Sequence, residues 1–270
     1  MLALPMILQN AITNLVSFLD NIMVGQLGTE QMSGVAIVNQ LIFVYNLAIF
    51  GAASAASIFG AQYFGKGNHE GHMYSFRFKL YATMFVTILA ITLFITNGEN
   101  LISLYLTDTA GTGATDVALR YGKQYLSIML IGLVPFAVTQ SYATNIKETG
   151  QTFVPMAASF VAVGSNAVLD YLLIFGIGPF PKLGVMGAAL ATILARYIEA
   201  AIIVIWAHSH KEKNKYLAGA YRGFGMPMGE FKAILIKGFP LMLNELLWAA
   251  GMTAVTQCYS VRGLEEVGGQ

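Results

Sequence analysis

The sequence predicts an all-α integral membrane protein, a six-helix transmembrane lobe plus a seventh helix, and three observations carry that prediction. Apolar side chains make up 56% of the 270 residues and charged ones 11%, against roughly 25% charged in a soluble domain. That leaves too little charge to dress a water-facing surface. The apolar residues are spread along the whole chain, which makes the bilayer the main solvent and excludes an intrinsically disordered chain. They also fall into runs of about the 20 residues that a helix needs to cross the hydrocarbon core.

The runs lie at 2–24, 31–59, 75–96, 118–144, 153–176, 184–207 and 236–259. The first has no basic stretch before it and no small-residue cleavage pattern after it, so it is a span and not a signal peptide. Met1 lies almost inside the membrane, and an upstream cytoplasmic segment is expected. The second run is dense in small residues, GAASAAS at 51–57, and leaves the membrane through GAQYFGKG at 60–67, whose glycines fit a tight turn. Pro135 falls within the fourth, where a kink is tolerated, and Pro155 near the start of the fifth. The sixth carries Gly187, Ala191 and Ala195 at four-residue spacing, which permits close helix approach. A polar stretch from His208 to Phe231, with an amphipathic piece, joins it to the seventh, which contains Pro240. The expected organisation is a six-helix lobe at 1–208, an inter-lobe connection at 209–235, and the first helix of a truncated second lobe at 236–270.

Basic residues fix the orientation, because they are retained on the cytoplasmic side. Lys66, Arg77, Lys79, Lys147, Lys211, Lys213, Lys215, Arg222, Lys232 and Lys237 fall on one side. Arg120, Lys123, Lys182 and Arg262 fall on the other, with Arg196 inside a span. The N-terminus is therefore expected in the cytoplasm. A net charge of +1 leaves no basic footprint for nucleic acid. Cys258, the only cysteine, excludes an intrachain disulfide, a CxxC pair and a zinc finger.

Ionisable groups inside the spans are the most informative residues, since each costs at least about 2.5 to 3.5 kcal/mol at the bilayer centre. They are Asp20, Asp170, Arg196, Glu199 and Glu245. Asp20 and Asp170 each sit roughly 6 to 9 Å below the outer boundary at 1.5 Å per residue, and so share one level. Asn166 lies one turn from Asp170 on the same face. With Asn21, Asn39 and Gln40 nearby, these groups converge on a single cation or proton. Two carboxylates in a low-dielectric cavity do not both ionise easily, so their titration belongs to the pair. Glu245, beside Asn244, offers a second acidic position, and with the carboxamides of Asn39 and Gln40 it is the candidate site for substrate or a second ion. Arg196 and Glu199, three apart, are expected to pair with each other. Pro5 is a hinge candidate because it shares a helix with Asp20.

Other motifs carry no chemistry. The GAQYFGKG segment ends in Gly67 where a P-loop needs a hydroxyl for magnesium, and it follows a helix, not a strand. His69, His72, His208 and His210 have no cysteine or carboxylate set at metal-ligand spacing and read as solvated loop histidines. Nothing assembles a catalytic constellation. The expectation is therefore no enzyme activity, no resident metal and no cofactor beyond a coupling ion, H⁺ or Na⁺.

Aligning the seventh span on the first at an offset of 235 brings Pro240 onto Pro5, Leu243 onto Leu8, Gly263 onto Gly28 and Glu265 onto Glu30. This fits a transporter of two six-helix halves whose second half begins at the seventh span.

At this point the sequence resembles the multidrug and toxic compound extrusion (MATE) family. The resemblance is carried by LPMILQNAITNLVSFLDNIMVGQLGTEQMSGVAI at 4–37, GAQYFGKGN at 60–68 and NAVLDYLLIFGIGPFPKLGVMGAALAT at 166–192. It implies half of a two-lobe, twelve-helix antiporter that uses an inward H⁺ or Na⁺ gradient to expel small organic cations across the cell membrane. The membrane lipid and the missing carboxy-terminal lobe would be its partners. By the same resemblance Asp20 matches the acidic residue of the first helix and Pro5 the proline ahead of it. Asn166 and Asp170 match the Asn/Asp pair of the fifth helix, and Glu245 the acidic residue of the seventh in some members. A lipid-linked oligosaccharide flippase of related architecture is the alternative, but its anionic substrate calls for a basic cavity. A seven-helix receptor is disfavoured by a cytoplasmic N-terminus.

Overall fold

The structure of the protein is a computed structural model that describes residues 20–106, 114–222 and 225–260. All regular elements among the described residues are helical. They are α1 (20–25, the described end of the first span), α2 (Thr29–Gly65), α3 (His69–Ser103), α4 (Ala114–Met129), α5 (Leu133–Glu148), α6 (Phe153–Phe175), α7 (Val185–Ser209) and α8 (Met228–Ser260), with short 3-10 turns at Leu130–Gly132 and Lys215–Leu217. Five of these stretches are long and apolar enough to cross a membrane: Thr29–Gly65, His69–Ser103, Thr115–Glu148, Phe153–Phe175 and Val185–Ser209. They are the second to sixth expected spans, the second, third, fourth and sixth longer than the apolar runs alone indicate and the fifth matching its run to within one residue. The fourth span is one crossing in two pieces: a 3-10 turn at Leu130–Gly132 joins α4 to α5 just ahead of Pro135, whose ring cannot donate to the helical ladder.

α2 is the centre of the lobe and packs on α3, α4, α5 and α8. Its core residues Val38, Ile49 and Tyr45 interlock with Met129, Leu133, Ile174 and Ala188 from the other spans. Small residues set the closest approaches. A Cβ at Gly34 would meet Ala118 O at 2.4 Å, and one at Gly187 would meet Leu173 O at 2.6 Å, so α2 runs backbone-close to α4 and α7 to α6. α6 ends on Gly176 in the left-handed conformation, and Leu183 then donates back to Leu173 O at 2.9 Å. The expected turn after the second span is present. Gly67 takes φ 69°, and the Asn68 side chain caps α3 by accepting from Gly71 N at 2.9 Å.

The outside of the bundle is apolar. Phe85, Ile88, Leu89 and Ile95 on α3 are each at least 60% exposed, a stripe of the kind lipid solvates and water does not. The polar connection after α7 holds no amphipathic helix among its described residues. A three-residue turn buries Tyr216 and Leu217, and Arg77 of α3 pins the chain by donating to Gly219 O at 2.7 Å, Ala220 O at 2.9 Å and Gly225 O at 2.7 Å. Three backbone carbonyls satisfy one buried guanidinium, which accounts for a loop held by hydrogen bonds where an amphipathic face was expected.

Candidate functional site

Asp170, on α6, is 1% exposed. Both of its carboxylate oxygens are buried without a hydrogen-bond partner, as are Asp20 Oδ1 and Asn166 Nδ2. Asp20, in α1, lies close enough to act electrostatically on Asp170, and both act on the hydroxyl of Tyr125 from α4. An acid from α1 and one from α6 therefore share one buried polar chamber with Tyr125. Tyr125, 1% exposed, donates to Asn39 Oδ1 of α2 at 3.2 Å, and Thr192 of α7 stands beside its hydroxyl. Side chains of α1, α2, α4, α6 and α7 meet there.

An unpaired buried polar atom costs about 1 to 3 kcal/mol, and a carboxylate left ionised without a partner costs more. The three carboxylate oxygens are acceptors that a cationic guest would satisfy, either a proton on a carboxylate or a small metal cation shared between them, while Asn166 Nδ2 is a donor and needs an acceptor instead. Among the described residues no group of three or more His, Cys, Asp or Glu forms a metal site, so a metal cation here would lean on carboxamide and hydroxyl oxygens in addition to two carboxylates.

The other expected site residues divide. Asn39 is brought in through Tyr125. Gln40, half-buried on the next position of α2, makes no bond to the chamber groups among the described residues. Glu245 lies on α8, its side chain outside the described ones, and Pro5 lies outside the described residues. Arg196 and Glu199 do not form the expected ion pair. Arg196 donates to Gly132 O at 3.2 Å and sits 4.9 Å over the ring of Phe136, while Glu199 accepts from Ser159 Oγ at 2.6 Å. Their spacing does put both on one side of α7, but α6 and the segment joining α4 to α5 offer each a nearer partner.

A second polar group, unread in the sequence, closes the end of the lobe at the α2–α3 turn. His72 and Lys79 of α3 meet Asn145 and Glu148 of α5. Lys79 donates to Glu148 Oε1 and to Asn145 Oδ1 at 2.6 Å, and His72 Nε2 lies 3.2 Å from Glu148 Oε2. His72, taken above for a solvated loop residue, is 1% exposed, and Lys79, counted among the loop cations, is 0% exposed. Further along α3, Thr83 bonds Ser141 at 2.9 Å and Thr87 bonds Tyr45 at 2.9 Å, all buried. The available signal was spacing: His72 and Lys79 lie two turns apart, and Asn145 and Glu148 one turn apart, on single faces.

The MatE family model matches residues 5–172, well over half of the chain. The chain belongs to the MatE family. A probable multidrug resistance protein, NorM, of Thermotoga maritima is 26% identical over an alignment 281 positions long, covering 99% of this chain and 55% of that protein. The chain thus spans about half the length of the curated relatives it matches. Among solved structures, a multidrug resistance MATE family transporter in an inward-facing conformation aligns with a TM-score of 0.78 at 22% identity, over 99% of this chain and 58% of that one. An outward-facing MATE family transporter aligns with a TM-score of 0.76 at 23% identity, over 98% and 56%. These likenesses show the fold. The MatE chain is a multi-pass membrane protein with the architecture of a half-length transporter lobe.

Proposed function

We propose that the chain is the amino-terminal lobe, with the first helix of the second lobe, of an ion-coupled antiporter that exports small organic cations by alternating access. The observation that carries this is the chamber itself: Asp20 and Asp170, on different crossings, are within electrostatic reach of each other and keep buried oxygens without partners. The coupling ion, H⁺ or Na⁺, loads from outside at Asp20, Asn166 and Asp170. The cationic substrate relies on the same negative charge. One charge cannot satisfy both guests, and that competition is the coupling. Pro5, on the helix that carries Asp20, is the hinge that responds to loading, and Glu245 with Asn39 and Gln40 contributes on the substrate side.

The parent lies in the plasma membrane with its N-terminus in the cytoplasm, surrounded by lipid and completed by a carboxy-terminal lobe. Arg196, the one basic group among the described residues that acts on Tyr125, is taken up by Gly132 O and Phe136. A flippase for an anionic lipid-linked sugar would need such cations free in the cavity.

The test is Asp20→Asn in the full-length parent, with efflux of a fluorescent organic cation measured from preloaded proteoliposomes under an imposed H⁺ or Na⁺ gradient. Gradient-driven export is expected to be lost. Undiminished export removes the chamber from the mechanism.

A further inference from the structure

Beyond α7 the connection buries alternate residues. Asn214 is 0% exposed and donates from Nδ2 to Ala207 O at 3.3 Å and to His210 O at 3.1 Å, and Tyr216 is 1% exposed. With these two anchored, Lys213 and Lys215 stand exposed on a backbone held in place. They border a cavity of about 160 Å³ together with Glu212, His69 of α3 and Phe64 of α2. A single water takes about 30 Å³, so the space admits a larger polar group.

Positive charge is left over there. Among the described residues the side chains of Lys213 and Lys215 make no hydrogen bond and no ion pair. Glu212, the one acidic residue bordering the cavity, pairs with neither. Tyr216 also lines the cavity, and its hydroxyl is buried without a partner; a hydroxyl donates as well as accepts. Two cations beside hydroxyl and imidazole donors match a phosphate, whose oxygens accept charge-assisted bonds.

The level is that of lipid headgroups. α7 ends at Ser209, and Trp206, in its last turn, stacks on His210 with ring centres 4.6 Å apart; tryptophan concentrates where membrane meets water. Lysines four and six residues past the end of a spanning helix extend their charges among headgroups while their stems lie on apolar surface. Phe64, 39% exposed, gives the cavity an apolar wall, which a lipid uses and a free anion does not.

We propose that Lys213 and Lys215 hold a phosphate group at this cavity, that of an anionic phospholipid in the leaflet on this side; free inorganic phosphate presents the same chemistry. The site shares no residue with the Asp20–Asp170 chamber and does not depend on the export reading.

The experiment titrates the full chain, purified in an uncharged detergent, with short-chain phosphatidylglycerol, short-chain phosphatidylcholine and inorganic phosphate. The rise in unfolding temperature is followed, and native mass spectrometry counts retained lipid. Phosphatidylglycerol is expected to bind and phosphatidylcholine not. Lys213→Gln with Lys215→Gln, which removes no bond from the fold, should weaken phosphatidylglycerol binding about 30-fold, near fivefold for each lysine. Lys232→Gln with Lys237→Gln, an equal change of charge on α8, should leave it unchanged. No response to inorganic phosphate assigns the headgroup, and an equal response that the first double variant abolishes assigns a free anion; the phosphate site stands in both cases. Equal binding of the two lipids, or phosphatidylglycerol binding that survives the loss of both lysines, overturns the proposal.

Discussion

Tyr125 donates its phenolic hydrogen to Asn39 Oδ1 at 3.2 Å, which ties α4 to α2 at the point where the fields of Asp20 and Asp170 converge. The bond is long and one of few polar links near the chamber, so its loss costs the fold only about 0.5 to 1.5 kcal/mol. Its effect on ion loading is the larger one, because both carboxylates act on this hydroxyl. Tyr125→Phe in the full-length parent is expected to weaken ion loading by up to about tenfold, the equivalent of one hydrogen bond. The half-saturating ion concentration for efflux measures this, and a value equal to that of the unaltered protein would separate Tyr125 from the chamber.

Asp170 offers a sharper separation of stability from function. Both carboxylate oxygens are buried and unpartnered, so the ionised residue destabilises the lobe unless a guest is bound. Anything that binds the folded chain alone stabilises it, by about 2.7 kcal/mol at a hundredfold excess over its dissociation constant. The melting temperature of the unaltered protein in detergent should therefore rise as the coupling ion is added. Asp170→Asn is expected to melt as high as the loaded protein or higher, and to show no ion dependence. An ion response retained by this variant would place the binding elsewhere.

Two glycines test the packing. A Cβ at Gly187 would lie 2.6 Å from the backbone oxygen of Leu173, while at Gly164 nothing lies within 4 Å. Gly187→Ala has to push α7 away from α6 and should cost about 1 to 3 kcal/mol. Gly164→Ala, on the same hairpin, gains helix propensity worth up to about 1 kcal/mol. Thermal unfolding of the two variants in detergent should move in opposite directions.

Asp20 and Asp170 stand out in the sequence because an ionisable group in an apolar run is conspicuous at the level of one helix, helical rise alone puts them at one expected depth, and Asn166 follows from its place one turn before Asp170. Pro135 and the glycines at 60–67 were legible for the same local reason. What the chain did not disclose is which helix faces which. Arg196 and Glu199 have the spacing of a pair, yet Gly132 and Ser159, distant in sequence, reach them first. Lys79 was indistinguishable from a loop lysine until α5 brought Asn145 and Glu148 across to it, a contact between segments more than sixty residues apart. Tyr125 carries no sequence signal at all, since its importance is where its hydroxyl points.

Lys79 and Glu148 give the remaining prediction, and it concerns what a buried ion pair is for. Their side chains are 0% and 6% exposed. Taking two ions out of water is expensive, and their attraction repays it only while both are present. Lys79→Met leaves Glu148 with His72 as its one possible cationic partner among the described residues, and Glu148→Leu leaves Lys79 buried beside a neutral carboxamide. Each single change should cost about 3 to 5 kcal/mol. The double variant strands no charge, so it should unfold at a higher temperature than either single variant, well short of additivity. Thermal unfolding of the four proteins closes this cycle. Additive losses would mean that the two side chains do not sense each other, and the end of the lobe would then be held by its aromatic packing, His72 against Tyr216 and Phe76 against Tyr142, without help from charge.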